Sequence, residues 1–345
     1  MRVVEITTTD GLEALRPEWE ALWNHVPTAG PFQHPDWLLP WCRYFTPQQL
    51  WTVAVRDGGA LVAVAPFFIY ADAASGDRQL TLLGNGVSDQ LDVLALPDRP
   101  GLIRLVLDHV SARRTLWDSC DFRDLPPHSP LLADGLGRRE FICSDDTPCP
   151  VLDLAGTNGD LSGVASKKLL ADLRYQHRRA GALGGLRIEQ ATDATLDDSL
   201  DLLFELHGSR WMSRGGDGVF SEDRVCAFHR DVARRFLRRG WLRLYVARLR
   251  TKSVASNYGF HVRRRSYSYI GGFDPSIARL SPGGLAIQHA IADAVQDGAR
   301  EFDFLRGAEP YKYRWGAHDR RQYRLRLTSN IDRRATRSSL QCSTS

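Results

Sequence analysis

The chain has 345 residues, of which 43% are hydrophobic and 25% charged, with a formal net charge of +4. This length can bury the cores of two domains, while so small a net charge excludes a composition dedicated to DNA or RNA. Six cysteines without a CxxC pair, and no His/Cys cluster at ligand spacing, exclude a zinc scaffold, predict no metal and suit a reducing cytosol.

In chain order, Leu12, Leu15, Trp19, Leu22 and Trp23 recur at helical spacing and predict a helix over 11–25. A Trp-rich helix follows over 36–44, with Asp36 as its N-cap. Strands are expected at 51–55 and 61–70, joined by Asp57-Gly58-Gly59, a hairpin signal. A strand at 80–83, a helix at 101–110 and a strand at 116–122 complete the first half. The opening Met1-Arg2-Val3-Val4-Glu5 reads as a polar-interrupted strand and not as a secretory leader. No apolar run reaches the ~18 residues of a membrane span, so the chain is expected to be soluble and cytoplasmic.

From 126 to 150, Pro126, Pro127, Pro130, Pro148 and Pro150 punctuate the sequence and predict a connection without long regular elements. The second half then reads as a strand at 151–154, a basic helix at 166–181, a strand at 186–190 and a helix at 196–210. A Gly-rich loop at 214–218 leads to a second basic helix at 221–239, three strands at 242–249, 253–262 and 265–272, a helix at 284–298 and a strand at 300–305. Helices flanking a largely antiparallel sheet define an α+β or mixed α/β architecture. Two domains are therefore expected, 1–125 and 151–330, joined by 126–150 and followed by a mobile tail over 331–345.

The densest chemistry lies in Glu301 to Gly316, EFDFLRGAEPYKYRWG. Glu301 to Leu305 alternates polar and apolar as a half-buried strand does. Arg306, Glu309, Lys312 and Arg314 then crowd its exit, interleaved with Tyr311, Tyr313 and Trp315. Loops positioned by a rigid sheet are where binding chemistry concentrates.

This run, extended backwards through Gly271-Gly272-Phe273-Asp274 and Ser281-Pro282-Gly283-Gly284, resembles the cellulose-biosynthesis acetyltransferase-like branch of the GNAT acyltransferase superfamily, related to the FemAB peptidyltransferases. The resemblance extends loosely over residues 1–330. It implies tandem GNAT-like domains, the first copy degraded, with mixed, largely antiparallel sheets flanked by helices. It departs from the family at Ala308, where an acidic or amide residue is usual.

Acyl transfer from a thioester to an amine needs a proton acceptor for the amine, donors for the developing oxyanion and an acid for the leaving thiolate. Ser281-Pro282-Gly283-Gly284-Leu285-Ala286 opens an apolar helix, and its glycines let backbone N–H groups approach a pyrophosphate at the positive helix end. It fits the GNAT phosphate loop degenerately, with Ser281 in the first place. Asp274 is a candidate proton acceptor or ammonium anchor, or else an Asx-turn acceptor. Glu309 is a candidate general base, or the partner of Lys312. Lys312 is a candidate point-charge contact to a phosphate, and by resemblance to the FemAB enzymes a stabiliser of the transition state. Arg306 can clamp a carboxylate or phosphate, and Tyr311 or Tyr313 faces the same site. His207, Arg210 and Trp211 close the helix at 196–210; the resemblance places them along the acceptor cleft, with His207 as a base suited to neutral pH. Tyr267 and Tyr269 share a strand face, and Tyr269 takes the thiolate-protonating role that a tyrosine has in many GNAT enzymes. His34 and Asp89 are candidates for one wall of a cleft expected between the halves.

The leading expectation is an N-acyltransferase that uses acyl-CoA, or the phosphopantetheine of an acyl carrier protein, and acylates a sugar, lipid or natural-product amine. The alternatives are a FemAB-like aminoacyl-tRNA-dependent transferase and a non-catalytic binding module of an envelope or exopolysaccharide system. No long heptad arm of the FemAB kind is present in the sequence, which favours a thioester. The basic helices, carrying Lys167, Lys168, Arg174, Arg178 and Arg179 and then Arg230, Arg234, Arg235, Arg238 and Arg239, are solvated faces or contacts for an anionic acceptor, a tRNA or a peripheral membrane surface. No DNA partner is expected.

Overall fold

A computed structural model describes residues 1–135, 141–157, 160–213 and 215–327. The tail expected over 331–345 and Arg214 of the Gly-rich loop lie outside the described residues. The chain forms two compact units, one of Met1–Thr147 with the segment from Arg321 onward, the other of Pro148–Arg320. Among the described residues, no helix is long and apolar enough to cross a membrane.

The first unit opens with strand β1 (Arg2–Ile6) and helices α1 (Thr9–His25) and α2 (Pro35–Phe45). Strands β2 (Gln49–Leu50), β3 (Thr52–Asp57), β4 (Ala60–Ala65), β5 (Phe67–Ala71), β6 (Arg78–Leu82) and β7 (Leu94–Ala95) follow, then helix α3 (Leu102–Ala112), strand β8 (Ser119–Leu125) and helix α4 (Pro130–Gly135). Strands β1, β3, β4 and β7 form one sheet, with Asp57 opposite Ala60 across the two-residue Gly58-Gly59 turn. Both glycines take positive φ, as the tight hairpin requires. Strand 61–70 is not continuous: Pro66 divides it, and β5 pairs instead with β2 and β6. Pro66 has no N–H to donate, and its carbonyl accepts from Leu83 at 2.7 Å, so the break joins the two ladders without an unpaired group. The N-cap of α2 is His34, not Asp36; Pro35 takes the first helical position. The His34 Nδ1 accepts from the Asp36 N–H at 3.0 Å, which frees the Asp36 carboxylate for Arg16 at 2.6 Å.

The expected connection at 126–150 holds α4 and most of strand β9 (Phe141–Asp153), an extended run of thirteen residues that continues past the connection. Proline tolerates this because a strand needs only the acceptor where the N–H would face no partner. Here the Pro148 carbonyl accepts from Gly307 at 3.0 Å and the Pro150 carbonyl from Phe304 at 2.9 Å.

The second unit adds helix α5 (Lys167–Ala182), strand β10 (Leu186–Gln190), helices α6 (Leu196–Met212) and α7 (Asp223–Arg238), strands β11 (Leu242–Leu249), β12 (Lys252–Val262) and β13 (Arg265–Phe273), helix α8 (Pro282–Gln296), strand β14 (Glu301–Asp303) and the short helix α9 (Pro310–Arg314). Strands β10 to β13 run antiparallel in order, β13 pairs parallel with β14, and β14 pairs antiparallel with the end of β9. Alternate residues serve the two faces. On one, Tyr245 and Ala247 meet α8, whose Leu285, Ile291 and Ala294 are buried. On the other, Tyr258 and Phe260 meet His229 and Phe236 of α7 edge-on. The last strand, β15 (His318–Leu327), returns to the first unit, where Leu325 and Leu327 enter a core with Phe67, Val106 and Phe122.

Candidate functional site

The second unit contains a cleft of about 600 Å³ whose lining residues all lie between Leu169 and Trp315. Its origin is a split in the sheet. Strands β13 and β14 pair only at Arg265–Tyr267 with Glu301–Asp303. Beyond that point β13 continues to Phe273 while β14 has ended, and the run from Ser268 to Phe273 lines the cleft. A strand edge without a neighbour offers main-chain donors and acceptors to an extended ligand. The edge is also kinked, because Tyr258 pairs with Ile270 but Gly259 with Ser268, leaving Tyr269 as a bulged extra residue. A Cβ at Gly259 would lie 2.0 Å from the Tyr267 carbonyl oxygen, so the bulge requires glycine opposite it. Tyr269 thereby lines the cleft, whereas Tyr267 is buried.

The N-terminus of α8 enters the same cleft through Ser281, Gly283, Gly284 and Ile287. Proline at the first position has no N–H, and Ser281 provides no side-chain cap, so the Gly283 and Gly284 amides, at the positive end of the helix, remain for a ligand. A Cβ at Gly284 would stand 2.7 Å from the Ser281 Oγ. Leu285 and Ala286, expected in the same phosphate loop, turn into the core at 3% and 1% exposure and do not line the cleft.

Helix α6 supplies His207, Arg210 and Trp211 from the opposite face. It reaches β13 by backbone contact at Gly272, and there the Gly271 carbonyl accepts from Arg210 Nη1 at 3.2 Å and lies 3.3 Å from His207 Nδ1. The Arg210 guanidinium also sits 5.4 Å over the Phe273 ring. With Nδ1 as the donor to Gly271, His207 Nε2 carries a lone pair and has no hydrogen-bond partner among the described residues. Burial lowers the His207 pKa to about 4, opposed by the Gly271 hydrogen bond and assisted by the nearby Arg210 charge. The imidazole is therefore neutral at pH 7. Of the Gly-rich loop, Gly218, at positive φ, covers this ring: its Cβ would be 3.2 Å from Nε2.

The third wall is the chain from Phe304 to Trp315. It is held by Lys312, whose side chain is 3% exposed. Lys312 Nζ donates to the carbonyls of Leu305 at 3.0 Å, Arg306 at 2.9 Å and Gly307 at 3.0 Å, and pairs with Glu309 at 2.9 Å. Three N–H groups are thus consumed by four acceptors, and the contact to a phosphate expected of Lys312 gives way to fixing this loop. Glu309, expected as a base, is its ion-pair partner. The loop presents Arg306 and α9 presents Tyr311 to the cleft; the ring of Tyr311 is partly exposed, but desolvation around its hydroxyl pushes the pKa up to about 12. Tyr313 lines no part of the cleft and donates to Asp319 at 2.6 Å.

Asp274 lies outside the cleft lining. Its carboxylate accepts from the Ser276 N–H at 2.8 Å and pairs with Lys252 at 2.6 Å, which lowers its pKa. It is the Asx-turn acceptor and not a free base. His34 and Asp89 belong to the first unit and are absent from the lining. Asn257 was not foreseen. It is 5% exposed within β12, lines the cleft and donates to Ser268 Oγ at 3.0 Å. An amide amid β-forming residues was the available signal, since Asn is depleted in strands. Arg314, also in the wall, pairs with Asp172 of α5 at 3.0 Å.

Residues 167–313 match the family described as Acetyltransferase (GNAT) domain. Among curated proteins none matches the chain. Among solved structures, FemX superposes with a TM-score of 0.67 at 11% identity, covering 97% of this chain and 99% of that one. The C-terminal domain of a putative lysylphosphatidylglycerol synthetase from Agrobacterium fabrum gives 0.60 at 13%, with 96% of each chain covered. L-PGS from Bacillus licheniformis gives 0.59 at 13%, with 93% of each covered.

Proposed function

We propose that this chain, whose fold is GNAT/FemAB-related, transfers an acyl group from a coenzyme A thioester to an amine. The observation that carries the reading is one cleft holding the open edge of β13, the uncapped N-terminus of α8 and a neutral histidine. The α8 terminus receives the donor's pyrophosphate, and the extended pantetheine amides lie along Ser268 to Phe273 as an added strand would. The amine nitrogen attacks the thioester carbonyl, and its proton passes to His207 Nε2. The C–S bond breaks, and the thiolate takes a proton from Tyr269. Arg306 and Arg210 make the cleft positive, which favours the developing oxyanion and an acceptor bearing a carboxylate or phosphate.

The test is calorimetric titration of acetyl-CoA and a long-chain acyl-CoA into the protein and into a Gly284→Glu variant, whose carboxylate would occupy the cleft beside Ser281. Binding to the first and not to the second is the expected result; no binding to either overturns the reading. An aminoacyl-tRNA donor is the second reading, favoured by the superposition on FemX over nearly the whole chain. It predicts that aminoacyl-tRNA supports transfer where acyl-CoA does not.

A further inference from the structure

A second groove, again of about 600 Å³, runs between α5 and α8 over Leu186 and Ile188 of β10. Helix α8 contributes Leu285, Gln288, His289 and Ala292, one stripe at helical spacing. Helix α5 contributes Leu173 and a basic rim of Arg174, His177 and Arg178, and among the described residues no carboxylate lines the groove. The two basic helices differ in this respect. On α7, Arg230 pairs with Asp201, Arg234 with Asp197 at 2.5 Å and Arg235 with Asp231 at 2.6 Å. Among the described residues, Arg174 and Arg178 have no acidic partner, so their charge is uncompensated above an aliphatic floor.

We propose that this groove binds the 3′-phosphorylated nucleotide end of a coenzyme A thioester, with Arg174 and Arg178 on the phosphate. The inference rests on the donor reading above and narrows it. The groove and the cleft share one wall: Gly284 lines the cleft, Leu285 lines the groove, and Leu173 of the groove lies 3.4 Å from the position a Gly284 Cβ would take. From Gly284 to His289 is five residues, about 7.5 Å along the helix, a span short enough for one coenzyme A molecule to reach from a pyrophosphate at the α8 terminus into the groove that Arg174 and His289 line. Leu186 and Ile188 offer an apolar face to the base, and the His289 ring, packed edge-on against Tyr245 at 5.1 Å, offers a second. Guanidinium pairs of this kind recognise phosphate bidentately. A carrier-protein phosphopantetheine has no such nucleotide.

The experiment compares coenzyme A with 3′-dephospho-coenzyme A by titration calorimetry, in the intact chain, an Arg174→Gln/Arg178→Gln variant and an Arg238→Gln control. Coenzyme A should bind the unaltered chain more tightly by roughly tenfold or more. The double variant should lose that preference while keeping its affinity for the dephosphorylated ligand, and the control should change neither. Equal binding of the two ligands, a preference that survives the double variant, or a preference equally eroded in the control overturns the inference and leaves the thioester reading standing. Failure of both ligands to bind overturns the thioester reading and this one with it.

Discussion

Gly272 and His207 touch through their backbones. A Cβ at Gly272 would stand 2.4 Å from the His207 nitrogen and 2.5 Å from the Leu206 carbonyl carbon. Helix α6 therefore crosses β13 at a distance only glycine permits, and this sets where His207 and Arg210 meet the Gly271 carbonyl.

Gly272→Ala should force α6 away from the sheet, at a cost of about 1–3 kcal/mol. Denaturant unfolding measures the loss. Transfer activity should fall further than stability alone explains, because His207 and Arg210 move with the helix. Retention of full activity would remove α6 from the mechanism.

His207 gives a pH signature. Its folded pKa is depressed to about 4 from an ordinary value of 6.5, chiefly by burial. The unfolded chain thus binds a proton that the folded chain does not, so stability is present above 6.5 and is lost as pH falls from 6.5 towards 4. Melting temperature against pH should show this slope, and His207→Gln should reduce it, the remainder coming from the buried His229, whose pKa burial lowers to about 3 in the same sense. In activity, kcat/KM should show no inflection near 6.5 from this residue. His207→Gln should lower kcat by a factor on the order of a hundred or more.

Lys312→Met removes the ammonium on which the carbonyls of Leu305, Arg306 and Gly307 converge. Buried acceptors lose their partner and Glu309 its counter-ion, so the variant should unfold with about 3 kcal/mol less stability. A donor that merely contacted substrate would leave stability unchanged and alter only KM.

Asp92, in the first unit, accepts from Ser129 Oγ at 2.6 Å and from the Val93 N–H at 2.8 Å, yet burial raises its pKa to about 7. The folded state holds this proton more tightly than the unfolded state, so stability should fall as pH rises from about 4 to about 7. Asp92→Asn keeps the acceptor oxygen without the charge. It should raise the melting temperature at pH 8 and leave it nearly unchanged at pH 4.

The sequence disclosed features that depend on neighbours in the chain. The Gly58-Gly59 hairpin, the glycine-opened α8 and the alternation entering β14 each depend on local geometry. Pro148 and Pro150 misled, because proline reads as a breaker until the partner strand is known to need only its carbonyl, whereas Pro66, passed over in the expected strand at 61–70, does divide it. The Lys312 knot was hidden because three of its four partners are main-chain carbonyls, which carry no side-chain signature. Asp274 and Lys312 both stood beside the right strand ends, but side-chain direction decided their roles. The bulge that turns Tyr269 into the cleft depends on register with β12, which one strand alone does not specify.

The return of the chain at Arg321 makes the second unit an insertion within the first. Leu325 and Leu327 complete a core whose earlier members, such as Phe67 and Phe122, are synthesised some two hundred residues or more before them, with the insertion in between. On the ribosome, residues 148–320 have emerged with all their own strands before the first unit has its closing one. The cleft-bearing unit is thus free to fold first, and the N-terminal portion must wait, incompletely packed, until β15 has been made.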